Sequence, residues 1–152
     1  MREYKFRGKP TENNTSYFED EDFVYGSLII SEDKYYILLD VLDNIKRDDY
    51  AVYMVEVRPE TIGQYTELKD ENGKEIYSGD IIEFSYDMFV GNFDTFVAKG
   101  KVVFEEGAFY VEVFENERTT KDEAYLLYSI NLDTIEVIGN IYDNPELLEE
   151  GE

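Results

Sequence analysis

The sequence predicts an all-β protein built as a barrel or a sandwich. Apolar and polar residues alternate over short segments that are separated by turn residues, and this pattern is typical of antiparallel sheets. Aromatic residues, which suit the half-buried surface of a strand, make up 16% of the 152 residues. No long helical segments alternate with the predicted strands, which argues against an α/β fold.

Residues 3–8 are the first predicted strand. Charged and aromatic residues alternate here, so that Tyr4 and Phe6 point to one face while Lys5 and Arg7 point to the other. Around this strand, residues 1–10 hold Arg2, Lys5, Arg7 and Lys9 against Glu3 alone. We interpret them as a solvated basic face that pairs with acidic neighbours.

Three more strands are predicted in the first part of the chain, over residues 23–30, 34–39 and 51–57. Gly26, inside the second strand, indicates a bulge or a close approach to a neighbouring strand. Pro59 ends the fourth strand because it has no N–H to donate. Residues 40–50 are charged and ambiguous. A helical fragment is the alternative there, because three apolar residues lie near helical spacing, namely Val41, Leu42 and Ile45.

Residues 59–84 contain two turn signals followed by a strand. Asn72-Gly73 predicts a two-residue hairpin turn with positive φ at both positions. Gly79-Asp80 predicts a second turn, because glycine adopts φ values that other residues avoid and an Asp side chain can bond the backbone that follows it. Ile81, Ile82 and Phe84 then begin a strand. A ligand site at these glycines is the alternative, since a partner can approach a glycine backbone closely.

The second half of the chain continues with strands. Residues 96–105 and 108–114 predict a hairpin in which Gly107 takes positive φ. Residues 124–128 are apolar but short, so a strand and a helical turn both stay open. Residues 134–142 predict the closing strand. Asn144-Pro145-Glu146 then has the residues of a helix start, which predicts a short C-terminal helical turn.

Residues 85–96 depart from the alternating pattern and carry the candidate partner-binding residues. Large apolar side chains are dense in this segment, at Tyr86, Met88, Phe89, Phe93 and Phe96. Aromatic residues and Met are enriched at the centres of protein interfaces. The alternative is a flap whose aromatic side chains fold back over the end of the barrel, because large exposed apolar patches are rare on monomers.

The composition narrows the chemistry that the chain can perform. It contains no Cys and no His. Disulfides, thiolate zinc sites and every Ser-His or Cys-His arrangement are therefore excluded. No phosphate-binding glycine loop is present. Acidic runs at residues 19–22 and 48–49 are interpreted as solvated loops. We predict no catalytic residues, no cofactor and no metal site, and hence a protein that is not an enzyme.

The charge of the chain argues against nucleic acids and membranes as partners. The net charge is −22, from 36 acidic and 14 basic residues. Contacts to phosphates need clustered Lys and Arg, so direct nucleic acid binding is disfavoured, and repulsion opposes contact with anionic membranes. No apolar run approaches the ~20 residues that span a bilayer, and the first residues do not resemble a signal peptide. These features predict a cytoplasmic protein.

Three blocks of the sequence resemble the YopX family of small bacteriophage and prophage proteins. They are Lys5-Phe6-Arg7-Gly8-Lys9, residues 63–82, and residues 137–148, which read VIGNIYDNPELL. Their order and spread cover nearly the whole chain. The resemblance implies a mainly β fold with an SH3-like barrel, and it implies no established activity. We expect an N-terminal β lobe over residues 1–58, an SH3-like small barrel over residues 59–142 and a short acidic tail over residues 143–152, or one compact domain.

The function that we predict is a non-enzymatic protein–protein interaction module encoded by a phage or prophage. Its partner would be an unknown host or phage protein, and a homo-oligomer stays open. The alternative is an acidic DNA mimic that inhibits a host nucleic-acid-binding protein, which needs carboxylates spaced like phosphates along one face. An enzyme would instead need a pocket with converging carboxylates or Lys whose pKa values are perturbed.

Overall fold

The computed structural model describes residues 2–14, 22–39 and 54–149 of the chain. Within these ranges the protein consists of eleven β-strands and four short 3₁₀ helices, without an α-helix. The prediction of a mainly β fold is therefore confirmed. None of the helices in the described residues is long or apolar enough to cross a membrane. The helical fragment proposed for residues 40–50 lies outside the described residues.

The strands have the following bounds: β1 Phe6–Gly8, β2 Val24–Ser31, β3 Lys34–Leu39, β4 Met54–Val57, β5 Gly63–Lys69, β6 Glu75–Tyr77, β7 Asp80–Phe89, β8 Phe93–Glu105, β9 Ala108–Asn116, β10 Glu123–Leu126 and β11 Asn131–Asn140. The chain divides into two units, Met1–Tyr65 and Thr66–Glu152, so that β5 begins in the first and ends in the second. Where the sequence left residues 124–128 open, the structure contains both elements: β10 leads directly into a 3₁₀ helix, Leu127–Ser129.

In the first unit the strands lie in the antiparallel order β4-β3-β2-β1-β5. Their buried core consists of Val24, Ile37, Val55 and Val57. Gly26 has a φ of 157°, and a Cβ at this position would lie 1.9 Å from the carbonyl oxygen of Leu38 on β3. The predicted close approach at Gly26 is confirmed.

Two of the basic residues near the N-terminus, Arg7 on β1 and Lys9 after it, are buried, which contradicts the predicted solvated basic face at these positions. Arg7 and Lys9 are each 3% exposed, whereas Tyr4 is 67% exposed. The ring of Phe23 contacts both cations, with its centroid 4.1 Å from Arg7 Cζ and 4.8 Å from Lys9 Nζ. The alternating pattern therefore does not mark a solvated face here, because the Phe23 ring covers these two cations and their long aliphatic stems pack in the interior.

In the second unit five antiparallel strands lie in the order β10-β9-β8-β7-β11 and form a half-barrel. The core on its inner face is large and rich in aromatic and β-branched residues, including Phe84, Tyr86, Phe109, Val111 and Ile135. The β8–β9 turn has positive φ at both Glu106 and Gly107. The predicted hairpin at this position is confirmed.

The turn between β5 and β6 differs in type from the prediction. Gly73 has a φ of 83°, but the φ of Asn72 is not positive. The N–H of Gly73 donates to the carbonyl oxygen of Asp70 at 3.0 Å. The Asp70 carboxylate also accepts the N–H groups of Asn72 and Lys74, both at 2.9 Å, which holds the chain in a wider turn than two residues.

Asp70 also joins this turn to β11. Its Oδ2 accepts the N–H of Val137 at 3.0 Å, and beside it the N–H of Glu71 donates to the carbonyl oxygen of Ile135 at 2.8 Å. Burial by itself would raise the pKa of Asp70. The backbone N–H donors of Val137, Lys74 and Asn72, with the charge of Lys74, outweigh burial and hold the pKa of Asp70 below its ordinary value.

The second predicted turn, at Gly79-Asp80, is confirmed. Gly79 has a φ of 96°. Its N–H donates to the carbonyl oxygen of Val102 at 2.8 Å, and its own carbonyl oxygen accepts the N–H of Ile141 at 2.9 Å. The buried carboxylate of Asp80 accepts the N–H of Tyr77 at 2.8 Å. The backbone of this turn is therefore engaged on both sides by neighbouring strands.

The end of β11 is fastened to the segment that follows it. Asn140 Oδ1 accepts the N–H groups of Tyr142 and Asp143 at 3.0 and 2.9 Å. Asn144 Oδ1 accepts the N–H of Asn140 at 3.2 Å, and the 3₁₀ helix Pro145–Glu149 follows. A Cβ at Gly139 would lie 2.6 Å from Asn144 Oδ1, so a larger residue would have to displace the Asn144 side chain.

We predict that Gly26→Ala destabilises the protein more than Gly73→Ala. A non-glycine residue in these sparsely populated φ regions costs of order 1–3 kcal/mol at either position. At Gly73 an added Cβ meets no atom within 4 Å, so this cost stands alone. At Gly26 the Cβ also collides with the Leu38 carbonyl oxygen, which forces β2 and β3 apart. Urea unfolding measures the free energy of unfolding that each variant loses, and equal losses for the two variants would contradict the prediction.

We predict that Asp70→Asn lowers the free energy of unfolding by about 1–3 kcal/mol at pH 7, because the amide nitrogen cannot accept backbone N–H groups. The folded-state pKa of Asp70 lies below its unfolded value of about 3.9. The free energy of unfolding that the wild type has in excess of Asp70→Asn is therefore fully present above about pH 5, and it declines as the pH falls through the folded-state pKa.

Chemical denaturation at pH 7, 4 and 3 checks this pH dependence. The control is Asp133→Asn, which changes an exposed carboxylate on β11. An Asp70→Asn deficit that stays constant down to pH 3 would show that the carboxylate charge is not what stabilises the turn.

Candidate functional site

Residues 86–97 form a two-stranded arm, made of the end of β7, a turn at residues 90–92 and the beginning of β8. The pairing runs without interruption from Tyr86 opposite Phe96 to Phe89 opposite Phe93. The neighbouring strands β11 and β9 pair with this hairpin only as far as Ser85 and Ala98. The expected departure from the strand pattern at residues 85–96 is therefore wrong, because cross-strand pairing continues through polar residues that the sequence pattern reads as a break.

The two faces of the arm have different surroundings. Residues directly opposite one another share a face. Tyr86, Phe96 and Met88 lie on the inner face and pack against the core of the second unit. Phe89 and Phe93 lie on the outer face and are 64% and 77% exposed. Three of the five candidate residues therefore belong to the scaffold, as the flap alternative proposed, and two are available to a partner.

The exposed end of the arm is apolar. The rings of Phe89 and Phe93 meet edge to face, with centroids 5.4 Å apart. Val90, in the turn, is also exposed. The N–H of Val90 donates to the carbonyl oxygen of Asn92 at 2.9 Å, which closes the turn. We call Phe89, Val90 and Phe93 the apolar tip.

A polar row lies beside the apolar tip on the outer face. Asp87 Oδ1 accepts the hydroxyl of Thr95 at 2.7 Å and the amide of Asn131 at 3.2 Å. These two hydrogen bonds, the one from Thr95 first, lower the pKa of Asp87 and keep the carboxylate charged at neutral pH. On the neighbouring strand Asp94 is also exposed, although it lies opposite Met88 and so on the inner side of the arm. The tip is therefore bordered by negative charge.

The inner face of the arm is fastened by a polar network around Tyr86. Its hydroxyl donates to Asn116 Oδ1 at 2.8 Å and accepts Arg118 Nε at 3.0 Å. The Arg118 guanidinium lies 5.9 Å from the ring centroids of both Tyr86 and Phe96. It also forms an ion pair with Glu123, whose carboxylate accepts the hydroxyl of Tyr125.

The protonation states of this network are set by its own contacts. The hydrogen bonds that Arg118 donates to Glu123 and then to Tyr86 raise the pKa of Arg118. Burial raises the pKa of Glu123, but the hydrogen bonds from Arg118 and Tyr125 outweigh it and leave that pKa lowered. Burial and then the Glu123 carboxylate raise the pKa of Tyr125. The ion pair is charged and Tyr125 protonated at neutral pH, an arrangement that fastens residues 117–122 to the arm.

Sequence analysis missed this network. Arg118, Glu123 and Tyr125 have no spacing that marks a site, and no sequence signal sets Arg118 apart from Lys121 in the same polar loop. Among the described residues no group of three carboxylates is placed to hold a metal ion. Residues 19–21 and 48–49 of the acidic runs lie outside the described residues, so their interpretation as solvated loops stays a prediction.

Comparison with known protein families gives one match that covers nearly the whole chain. A family model described as YopX protein matches residues 5–149. The match includes all three blocks on which the sequence resemblance rests. No curated protein matches the chain.

We predict that Tyr86→Ala and Phe93→Ala have unequal effects on stability. Truncation of a buried aromatic side chain costs about 3–5 kcal/mol, and Tyr86 is buried at the base of the arm. Loss of the exposed Phe93 ring removes only a cross-strand contact with Phe89, which costs less than about 1 kcal/mol. Thermal and urea unfolding of both variants check this, and a loss at Phe93 as large as that at Tyr86 would place the tip in the core.

Proposed function

We propose that this chain, which belongs to the YopX family, is a non-enzymatic protein-binding module whose contact surface is the apolar tip. The observation that carries the proposal is the exposure of two large aromatic side chains, Phe89 and Phe93, at the end of a hairpin. Contiguous exposed apolar groups rimmed by polar residues mark interaction sites. Aromatic residues are also the commonest anchors at interface centres.

The anchoring of the arm supports this proposal. Tyr86 and Phe96 hold its inner face against the core, and Arg118 covers both rings. The tip is therefore presented by a packed scaffold, and a partner need not order a flexible loop when it binds. Pre-organisation of this kind lowers the entropic cost of association.

The size of the tip sets the strength of the interaction. The two rings would remove on the order of 300 Å² from water, which contributes about 7–8 kcal/mol. Association costs about 4–15 kcal/mol in lost translational and rotational freedom. The tip alone therefore supports weak binding, and a stable complex needs further contacts around it.

The charge around the tip indicates the chemistry of the partner. Asp87 and Asp94 lie on the arm beside the aromatic residues, and the whole chain carries a net charge of −22. We propose a partner protein with an apolar cleft and a basic rim, because complementary charge steers encounter and fixes orientation. The same net charge opposes binding to phosphates and supports the proposal that nucleic acid is not a direct ligand.

The finer features of the proposal rest on the family and on composition. We propose that the half-barrel is SH3-like, and its five antiparallel strands support this. The family resemblance supports an origin in a phage or prophage and a role in the bacterial cytoplasm. The absence of Cys and His from the sequence supports a protein that is not an enzyme.

An acidic DNA mimic is the second candidate, and the net charge of −22 favours it. Such a protein binds a basic surface through long-range electrostatic attraction. Its affinity would fall steeply with salt, because the Debye length is only about 10 Å at 0.1 M ionic strength. Burial of the apolar tip would instead give an affinity that changes little with salt.

The two candidates are separated by binding measurements on a partner captured from a bacterial host lysate. We expect Phe89→Ala combined with Phe93→Ala to weaken binding at least tenfold. The control Phe104→Ala, which also removes a partly exposed ring from β8, should change it less than twofold. An affinity that falls steeply between 0.1 and 0.5 M salt and is the same for the wild type and the double variant would refute the proposal that the apolar tip is the contact surface. That result would favour the DNA-mimic hypothesis.

A further inference from the structure

The outer face of the arm places a charged side chain beside the apolar tip. Asp87 lies opposite Thr95, and Phe89 lies opposite Phe93 one step nearer the turn on the same face. Residues two apart along a strand are separated by about 7 Å, a distance that one long side chain can span. Asp87, Phe89 and Phe93 are all exposed. A single side chain of a partner can therefore reach the carboxylate and an aromatic ring together.

Hydrogen bonds hold the Asp87 carboxylate in one orientation. The Thr95 hydroxyl and the Asn131 amide both donate to Oδ1, at 2.7 and 3.2 Å. Within the residues that the structure describes, no donor is bonded to Oδ2. Since an ionised carboxylate has about four acceptor positions, Oδ2 can still accept donors from a partner.

The charge of this carboxylate is not neutralised by a cation of the described part of the chain. Its two contacts, Thr95 and Asn131, are both uncharged, and they lower the pKa of Asp87 so that it is ionised at neutral pH. Farther along the outer face of β8, Lys99 Nζ lies 3.6 Å from Glu115 Oε2. The arm therefore presents an oriented negative charge next to two exposed aromatic rings.

An arginine side chain matches this combination of groups. Its guanidinium is planar, stacks on aromatic faces, and carries several N–H donors that suit a carboxylate. A lysine ammonium has the same charge, but it is more strongly hydrated and lacks the planar set of donors. An aliphatic side chain would contact the rings and leave the nearby carboxylate desolvated without a partner, which is costly.

We propose that the arm recognises an arginine of its partner protein, whose guanidinium stacks on the Phe89–Phe93 pair and donates to Asp87 Oδ2. This inference rests on the proposed function, because it takes the apolar tip as the contact surface. It adds Asp87 as the residue that determines specificity. Thr95 and Asn131 are positioning residues, since they act on the partner only through the orientation of Asp87.

The test is an NMR titration of the ¹⁵N-labelled full chain with the tripeptide acetyl-Leu-Arg-Leu-amide at 0.1 M salt. We expect saturable shifts of the amides of residues 87–95. Citrulline in place of the arginine keeps the shape of the side chain but removes its charge, and it should weaken binding at least fivefold. Lysine in the same place should bind at least twofold more weakly than arginine.

Two matched carboxylate variants separate recognition by Asp87 from general attraction to an acidic protein. Asp87→Asn should weaken binding of the arginine peptide at least fivefold. The control is Asp94→Asn, which removes an exposed carboxylate of the same arm from the position opposite Met88 on its inner side. This control should change binding less than twofold.

The positioning role of Thr95 has its own readout. Thr95→Val removes the first of the two hydrogen bonds to Asp87, so it should raise the pKa of Asp87 toward its ordinary value and weaken binding about threefold. Thr95→Ser keeps the hydroxyl and should match the wild type in both measurements. ¹³C NMR of the carboxyl groups follows the pKa, and an unchanged pKa in Thr95→Val would overturn this role.

The variant carrying Phe89→Ala and Phe93→Ala distinguishes failure of this inference from failure of the proposed function. We expect it to lose the peptide. If it does, but Asp87→Asn and Asp94→Asn weaken binding equally, the arginine assignment is overturned and the tip remains the contact surface. Absence of saturable shifts, or equal binding of the arginine peptide and either the citrulline or the lysine peptide, would also overturn the assignment. A double variant that binds like the wild type would overturn both proposals.

Discussion

The second unit depends on the buried carboxylate of Asp70. Its two oxygens accept backbone N–H groups from the β5–β6 turn and from Val137 on β11, segments that are far apart in sequence. A buried N–H group without a partner costs about as much as a lost hydrogen bond, so this one side chain lets the turn and the edge strand pack together. Beside it, the hydrogen bond from the Glu71 N–H to the Ile135 carbonyl oxygen adds a second connection between the turn and β11. The edge at β11 is thereby bonded to the β5–β6 turn, whereas β10, at the other end of the sheet, pairs with β9 alone in the part of the chain that the structure describes.

The residues that carry the family resemblance have structural explanations. Gly79 is bonded on both sides, Gly139 lies against Asn144, and Arg7 is buried against Phe23. The arm lies between these blocks and is built differently. Its inner face extends the core, whereas its outer face ends in exposed aromatic side chains. A binding module needs one buried face and one exposed face of this kind, because a stable scaffold can then present a small contact surface without losing its own stability.

Charge accompanies the surface that we propose as a binding site. It combines exposed apolar side chains with carboxylates, Asp87 and Asp94 on the arm beside the apolar tip. The net charge of −22 on the whole chain has the sign that attracts a basic partner surface.

The sequence by itself determined the mainly β fold, most of the strands and the positions of the turns, because alternation and glycine are local signals. The close approach at Gly26 and the β8–β9 turn at Gly107 were predicted in this way.

The tertiary structure decided which faces are buried. Arg7 and Lys9 are interior and lie against the ring of Phe23. Tyr86 is buried and Phe89 is exposed because opposite faces of one hairpin meet the core and the solvent. The sequence was enough to find the five candidate residues of this segment, four aromatic and one Met. It was not enough to say which of them are buried in the scaffold and which are exposed at the tip. Burial depends on neighbours that are distant along the chain, and the Arg118–Glu123–Tyr125 network exists only where β10 and the arm meet.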